Sequence, residues 1–322
     1  MTLDPQAREF LNRLAAANLP TIDRQTVEQA RTQMEVSTRF LGRSPRVERV
    51  EDLRIPGPGG ELPIRLVVPV GAETPAPVVV FFHGGGWVVG DLSSHENLCR
   101  ALANASGCLV ASVGYRRAPE DPYPAAAEDA FAAFSWFAAH AGDVEGDPGR
   151  LAVCGDSAGG NLAAAVALMA RDRGAPPPAL QVLAYPAVDH DFETESYRRF
   201  AEGYYLTRAE MMWYWDQYVP EGRDRDSPYA SPVRASDLGG LAPALVLTAG
   251  YDVLRDEGEL YARKLEAAGV PVVLSRYEGM IHGFLRRYPF FDEGRRALDE
   301  AAAALRRAFG LTATSRGVDG AE

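Results

Sequence analysis

With 322 residues, of which 47% are hydrophobic and 24% charged, the chain has the composition of a folded globular protein, and global disorder is excluded. Length alone allows one large domain or two ordinary ones. A formal charge of −11 leaves no basic footprint for DNA, RNA or anionic lipid, so a nucleic-acid-binding role is excluded.

The opening stretch MTLDPQAREFLNRLAAANLP lacks a basic start followed by a continuous apolar run, so it does not read as a secretory leader. Residues 1–45 carry two amphipathic helical patterns instead. Residues 46–55 read as an antiparallel edge strand. Short β-branched runs at 62–68, 78–82, 109–113, 151–154, 180–184, 244–248 and 272–275 then alternate with helical patterns at 94–105, 125–140, 158–173, 256–268 and 292–309. That alternation predicts an α/β fold, a mostly parallel central sheet flanked by helices on both faces. Ser93 with Glu96 has the spacing of a capping box at the first core helix, and Thr207 with Glu210 repeats it ahead of MMWYWDQYV.

Residues 188–228 fall between two core strands and are too long for an idle loop. Together with 1–45 they read as a helical cap, which leaves 46–187 and 229–311 as the two parts of the core. Residues 312–322, TATSRGVDGAE, are small and polar and read as a disordered tail. No apolar run reaches the roughly 18 residues of a membrane span. Cys99, Cys108 and Cys154 match the spacing of neither a disulfide scaffold nor a zinc site. The expectation is a cytoplasmic chain with buried thiols, no membrane insertion, no metal and no cofactor. Only Lys264 among the 33 basic residues is a lysine, which reads as GC-rich codon usage ahead of an arginine route to thermostability.

The strongest local signal is GDSAG at 155–159, between the strand LAVC and the apolar helix NLAAAVALMA. It fits G-x-S-x-G, a sharp strand-to-helix turn that lifts the serine hydroxyl above the sheet. The turn needs small residues because the backbone there nearly collides with its neighbours. Such a string also occurs as an idle glycine turn, but here both flanks have the required type, so Ser157 is the expected nucleophile.

A nucleophilic serine needs a base, and the chain offers His83, His95, His140, His190 and His282. In this fold the order is serine, acid, histidine, and only His282, in the loop GMIHGF, follows the last strand. The acid is expected on the loop after the preceding strand, where PALVLTAG runs into Tyr251 and Asp252. Asp252 is preferred to Asp256, which reads as a cap for the helix starting there. HGGGW at 83–87 follows the strand PVVVFF, and its glycines let backbone amides face a developing oxyanion. The hole is assigned to Gly85 with Gly84 or Gly86, plus the amide of Ala158, while His83 braces the loop. Neither phosphate-loop pattern is present.

HGGGW, YRRAPEDPYPAAAED, GDSAGGN, YDVLRDEG and HGF occur in that order over about 78–285, and the chain resembles the hormone-sensitive-lipase-like family of bacterial esterases, GDSAG subgroup. The resemblance implies an α/β-hydrolase fold with a helical cap, hydrolysis of short to medium acyl esters, no cofactor and, as is frequent in that family, a homodimer. Arg117 stands where that family usually has leucine, and Val253 where proline is common; neither belongs to the reacting atoms.

Trp87, Tyr185, Met211 and Trp215 are the candidate substrate-pocket residues, although the aromatic helix around 211–218 is equally explained by core packing. The function read from the chain is a serine carboxylesterase acting on small-molecule esters. An amidase or acyl-peptidase would use the same triad. A silent ligand receptor on this scaffold is the other class, and it expects a broken triad.

Overall fold

The apolar runs become strands because helices cover both faces of the sheet, so no solvent face demands alternation. In the computed structural model, which describes residues 2–220 and 223–311, the elements in chain order begin with the helices α1 (Pro5–Ala17) and α2 (Val27–Arg39). There follow the strands β1 (Arg49–Gly57), β2 (Gly60–Val68) and β3 (Ala76–Phe82), then α3 (Glu96–Ser106), β4 (Leu109–Val113), α4 (Ala125–His140), β5 (Gly146–Asp156), α5 (Ala158–Asp172) and β6 (Gln181–Ala184). A short α6 (Glu195–Arg199) and α7 (Arg208–Tyr218) precede β7 (Ala244–Tyr251), α8 (Arg255–Ala267), β8 (Val272–Ile281) and α9 (Asp292–Phe309). The tail expected at 312–322 lies outside the described residues.

The eight strands form one sheet in the order β1-β2-β4-β3-β5-β6-β7-β8. β1 and β2 are antiparallel to their neighbours, and every pairing from β4 through β8 is parallel. β3, β4, β6 and β7 are buried throughout. The edge strand β1 is mostly exposed, and β8, at the other edge, alternates.

Two registers position the site. Phe82 of β3 pairs with Gly155 of β5, so the loops leaving the two strands start side by side. Tyr251 of β7 pairs with Ile281 of β8 after a bulge, which sets Asp252 and His282 next to each other, one residue past their strands. α5 is buried along Ala158–Ala170; its alanines and glycines let it lie close on the sheet.

Several expectations shift. β5 begins at Gly146 rather than Leu151: Gly146 pairs with Ala76 across an irregular step, where Asp-Pro-Gly-Arg reads locally as a turn. β8 continues to Ile281 because Arg276 and Glu278 occupy its solvent-facing positions. Ser93 does not cap α3, whose N-cap residue is His95. Glu96 turns instead to Arg65 and Arg100, at 2.7 and 2.5 Å. The Thr207–Glu210 capping box forms, and Thr26 with Gln29 forms another at α2.

The two helical segments outside the alternation touch each other. Glu210 Oε1 accepts from the Ile22 amide at 3.0 Å. Arg31 reaches the carbonyl oxygens of Val88 and Ala118, at 3.0 and 3.1 Å. Among the described residues no helix is long and apolar enough to cross a membrane, and Cys99, Cys108 and Cys154 are free and buried.

The β5–α5 turn admits no side chain: a Cβ on Gly159 would lie 1.9 Å from the Phe82 carbonyl oxygen. Gly159→Ala is expected to cost about 3 kcal/mol through overpacking. Urea unfolding checks this, as a lower midpoint at unchanged m-value.

Candidate active site

Ser157 sits between β5 and α5 at φ 56° and ψ −120°, a left-handed conformation that a side-chain-bearing residue keeps only when its surroundings impose it. Its amide donates to Ala184 O at 2.8 Å, and its carbonyl accepts from the amides of Asn161 and Ala187 at 3.1 and 3.2 Å. The turn closes because Gly155 and Gly159 leave room: a Cβ on Gly155 would meet Gly159 O at 2.2 Å.

His282 meets Ser157 directly. Its Nε2 lies 3.0 Å from Ser157 Oγ, and its Nδ1 lies 2.7 Å from Asp252 Oδ2. With the Nδ1 proton donated to the carboxylate, Nε2 is left to accept from the serine hydroxyl. Asp252 is buried and also accepts from the Leu254 amide through Oδ1, at 3.0 Å. Asp256 takes no part. Nor does it cap α8, since its Oδ2 accepts from the Ser196 amide of α6 at 2.7 Å.

The HGGGW loop lies beside these three residues, and one expected oxyanion donor is otherwise engaged. The Gly84 amide donates to Asp156 Oδ1 at 2.9 Å, so of the alternatives Gly84 and Gly86, only Gly86 is available to partner Gly85. The Gly85 and Gly86 amides have no intramolecular acceptor among the described residues. Their φ angles of 123° and 57° require glycine. A Cβ on Gly86 would strike the ring of Tyr214 at 2.2 Å, which places α7 directly on the loop.

His83 braces the loop, as its position suggested. It is buried, its Nδ1 donates to Gly84 O at 2.9 Å, its ring stacks on Tyr115, and its carbonyl accepts from Tyr115 Oη at 2.7 Å. Burial, together with the neighbouring His95, lowers its pKa to about 3.

The four candidate pocket residues are all buried. Tyr185 stands edge-on to His282, ring centroids 4.8 Å apart. Trp87 stacks on Tyr218 at 4.2 Å and meets Trp215 edge-on at 5.0 Å, so these rings are packed chiefly on one another. Arg117, the departure from the family motif, donates to Gly90 O. Among the described residues no cluster of three or more His, Cys, Asp or Glu is placed to hold a metal ion.

The aromatic pattern at 211–218 included Tyr214 without giving its contact with Gly86, and the group around Asp156 was not foreseen. A carboxylate within the otherwise apolar or small-residue run LAVCGDSAG was the available signal for the latter.

A family model described as alpha/beta hydrolase fold matches residues 79–286. This chain belongs to that family. The hormone-sensitive-lipase-like resemblance read from the motifs holds for this α/β hydrolase. It is 47% identical over 263 residues to the carboxylic ester hydrolase LipN of Mycobacterium tuberculosis, covering 80% of this chain and 70% of LipN. It is 37% identical to an ethyl acetate hydrolase of Pseudomonas putida, across 95% and 99% of the two chains. Its fold superposes on a hyperthermophilic esterase from Pyrobaculum calidifontis with a TM-score of 0.91 at 47% identity, covering 95% and 99%.

Because the folded pKa of His83 lies below its unfolded value of about 6.5, the unfolded chain binds the extra proton first. The stabilisation is complete above that pH and is lost as pH falls toward about 3. His83→Gln removes this titration. Its destabilisation relative to wild type is expected to shrink by roughly 2 kcal/mol between pH 7 and pH 5, measured by urea unfolding at both.

Proposed function

We propose that this α/β hydrolase is a serine carboxylesterase working through a covalent acyl-enzyme. The observation that carries the reading is the continuous relay from Ser157 Oγ to His282 Nε2 at 3.0 Å and from His282 Nδ1 to Asp252 at 2.7 Å, beside a loop with free amides.

In the reaction, Ser157 Oγ attacks the ester carbonyl carbon as His282 Nε2 takes the hydroxyl proton. The negative charge that gathers on the carbonyl oxygen is met by the amides of Gly85, Gly86 and Ala158. Asp252 stabilises the imidazolium and holds the ring in the tautomer that started the step. His282 then protonates the departing alcohol oxygen, and the acyl group remains on Ser157. Water, deprotonated by the same nitrogen, attacks the acyl carbon. The carboxylic acid leaves, and the proton returns to Ser157.

The preferred substrates are esters with short to medium acyl chains. The ethyl acetate activity named for the Pseudomonas putida relative supports a small acyl group, as does an aromatic wall already filled by its own rings at Trp87, Trp215 and Tyr218. Segments 1–45 and 188–228 act as the cap, an assignment supported by the bond between Ile22 and Glu210 and by Tyr214 resting on Gly86. Three free buried thiols suit the cytoplasm. The partly exposed Val273 and Leu274 on the edge strand β8 suit a homodimer.

Turnover of p-nitrophenyl esters from acetate to palmitate tests the reading. Butyrate and hexanoate are expected to lead and palmitate to trail. Ser157→Ala should lose at least about 10⁴-fold in kcat, and Asp252→Asn about 10³- to 10⁴-fold. Ester cleavage that survives in Ser157→Ala would rule the proposal out. A wild-type chain that cleaves the matching anilides and not the esters would make it an amidase.

A further inference from the structure

Asp156, the residue before the nucleophile, ends β5 with its carboxylate turned inward and is 3% exposed. A buried carboxylate costs several kcal/mol unless its surroundings repay it, so its partners indicate what holds it there. Oδ1 accepts from the Gly84 amide at 2.9 Å. The same oxygen lies 3.2 Å from His95 Nε2, off the line of a hydrogen bond. Oδ2 lies so close to Gly84 that a Cβ on that residue would sit 2.6 Å away.

Positive charge comes from Arg286, four residues beyond His282. Arg286 is itself anchored: its Nε donates to Ser94 O at 3.1 Å, and its amide donates to Tyr185 Oη at 3.3 Å. Burial opposes ionisation of Asp156, but His95, Arg286 and the Gly84 amide outweigh it and hold the carboxyl below its ordinary pKa.

This arrangement answers a mechanical problem. Gly84, Gly85 and Gly86 form the most permissive backbone a chain can have, yet oxyanion donors work only when fixed before the reaction begins. The amide of the first glycine is withdrawn from the hole and tied to the residue covalently joined to the nucleophile.

We propose that Asp156 is a positioning residue, a clamp that fixes the oxyanion loop to the Ser157 turn so that the Gly85 and Gly86 amides meet the reacting carbonyl in register. The proposal rests on the acyl-transfer reading above.

The test compares wild type, Asp156→Ala and Asp156→Asn on p-nitrophenyl butyrate. Rates are expressed per active site titrated with a p-nitrophenyl phosphonate, and thermal midpoints are recorded alongside. Asp156→Ala is expected to lose about 10²-fold in kcat, the scale of one lost oxyanion donor, with KM held within about threefold. Asp156→Asn retains an acceptor for Gly84 without the charge, and is expected to lose about tenfold.

An Asp156→Ala enzyme with wild-type kcat per titrated site overturns the clamp. So does one whose only defects are a raised KM and a lowered midpoint, because that pattern marks a purely structural role. If Asp156→Ala does not fold, Asp156→Asn decides: a tenfold loss supports the clamp, and wild-type kcat overturns it. An inactive wild-type chain overturns the ester-hydrolysis reading and the clamp together, and is recognised by the wild-type rate itself.

Discussion

The β5–α5 turn presses against the end of β3 with no space for a side chain on either facing glycine, and the geometry of the site follows from that contact. A Cβ on Gly155 would also lie 2.8 Å from the Phe82 carbonyl oxygen, in addition to its clash with Gly159. The contact forces Ser157 into its left-handed conformation and fixes where the loop beginning at His83 emerges. The strain is tolerated because bonds from Ala184, Asn161 and Ala187 hold the Ser157 backbone on both sides. Ser157 and the glycine loop at 84–86 are thus neighbours through strand register, before any side chain contributes.

Beneath this turn the protein manages buried acids in two ways. Asp156 is kept ionised by its neighbours, whereas Glu257 is pushed toward the neutral form by burial and by nearby Asp189. Glu257 Oε1 accepts from the amides of Val188 and Asp189 at 2.8 and 3.2 Å, at the root of the inserted segment. Asp252 is a further nearby carboxylate that disfavours a charge on Glu257.

Much of this was legible in the sequence wherever one local pattern decided the outcome. GDSAG after an apolar strand placed Ser157, and chain order placed Asp252 and His282, which the structure brings within hydrogen-bonding distance. Register and long-range pairing were less legible. Gly84 and Gly86 were equal alternatives beside Gly85 until the fold put Asp156 opposite Gly84, 72 residues away. Ser93 and Glu96 had the spacing of a cap, but Arg65 of β2 and Arg100 of α3 claimed the glutamate. The start of β5 was hidden because Asp147, Pro148 and Gly149 are turn formers by local preference, and only pairing between Gly146 and Ala76 overrides them. The aromatic residues of α7 announced burial without saying on what, and Tyr214 resting on Gly86 answers part of that.

Glu210 joins two stretches of chain that are remote in sequence. One oxygen closes the capping box with Thr207, while the other holds the Ile22 amide, 188 residues away. The carboxylate is nearly buried, so breaking either bond leaves a polar group facing an apolar interior. The first turn of α7 and the short turn at Ile22–Arg24 consequently share one hinge pin, and a displacement of one drags the other. The N-terminal segment and the segment inserted between β6 and β7 are thereby coupled through one carboxylate. Loss of the first two dozen residues would leave Glu210 Oε1 without the Ile22 amide and uncouple the two segments.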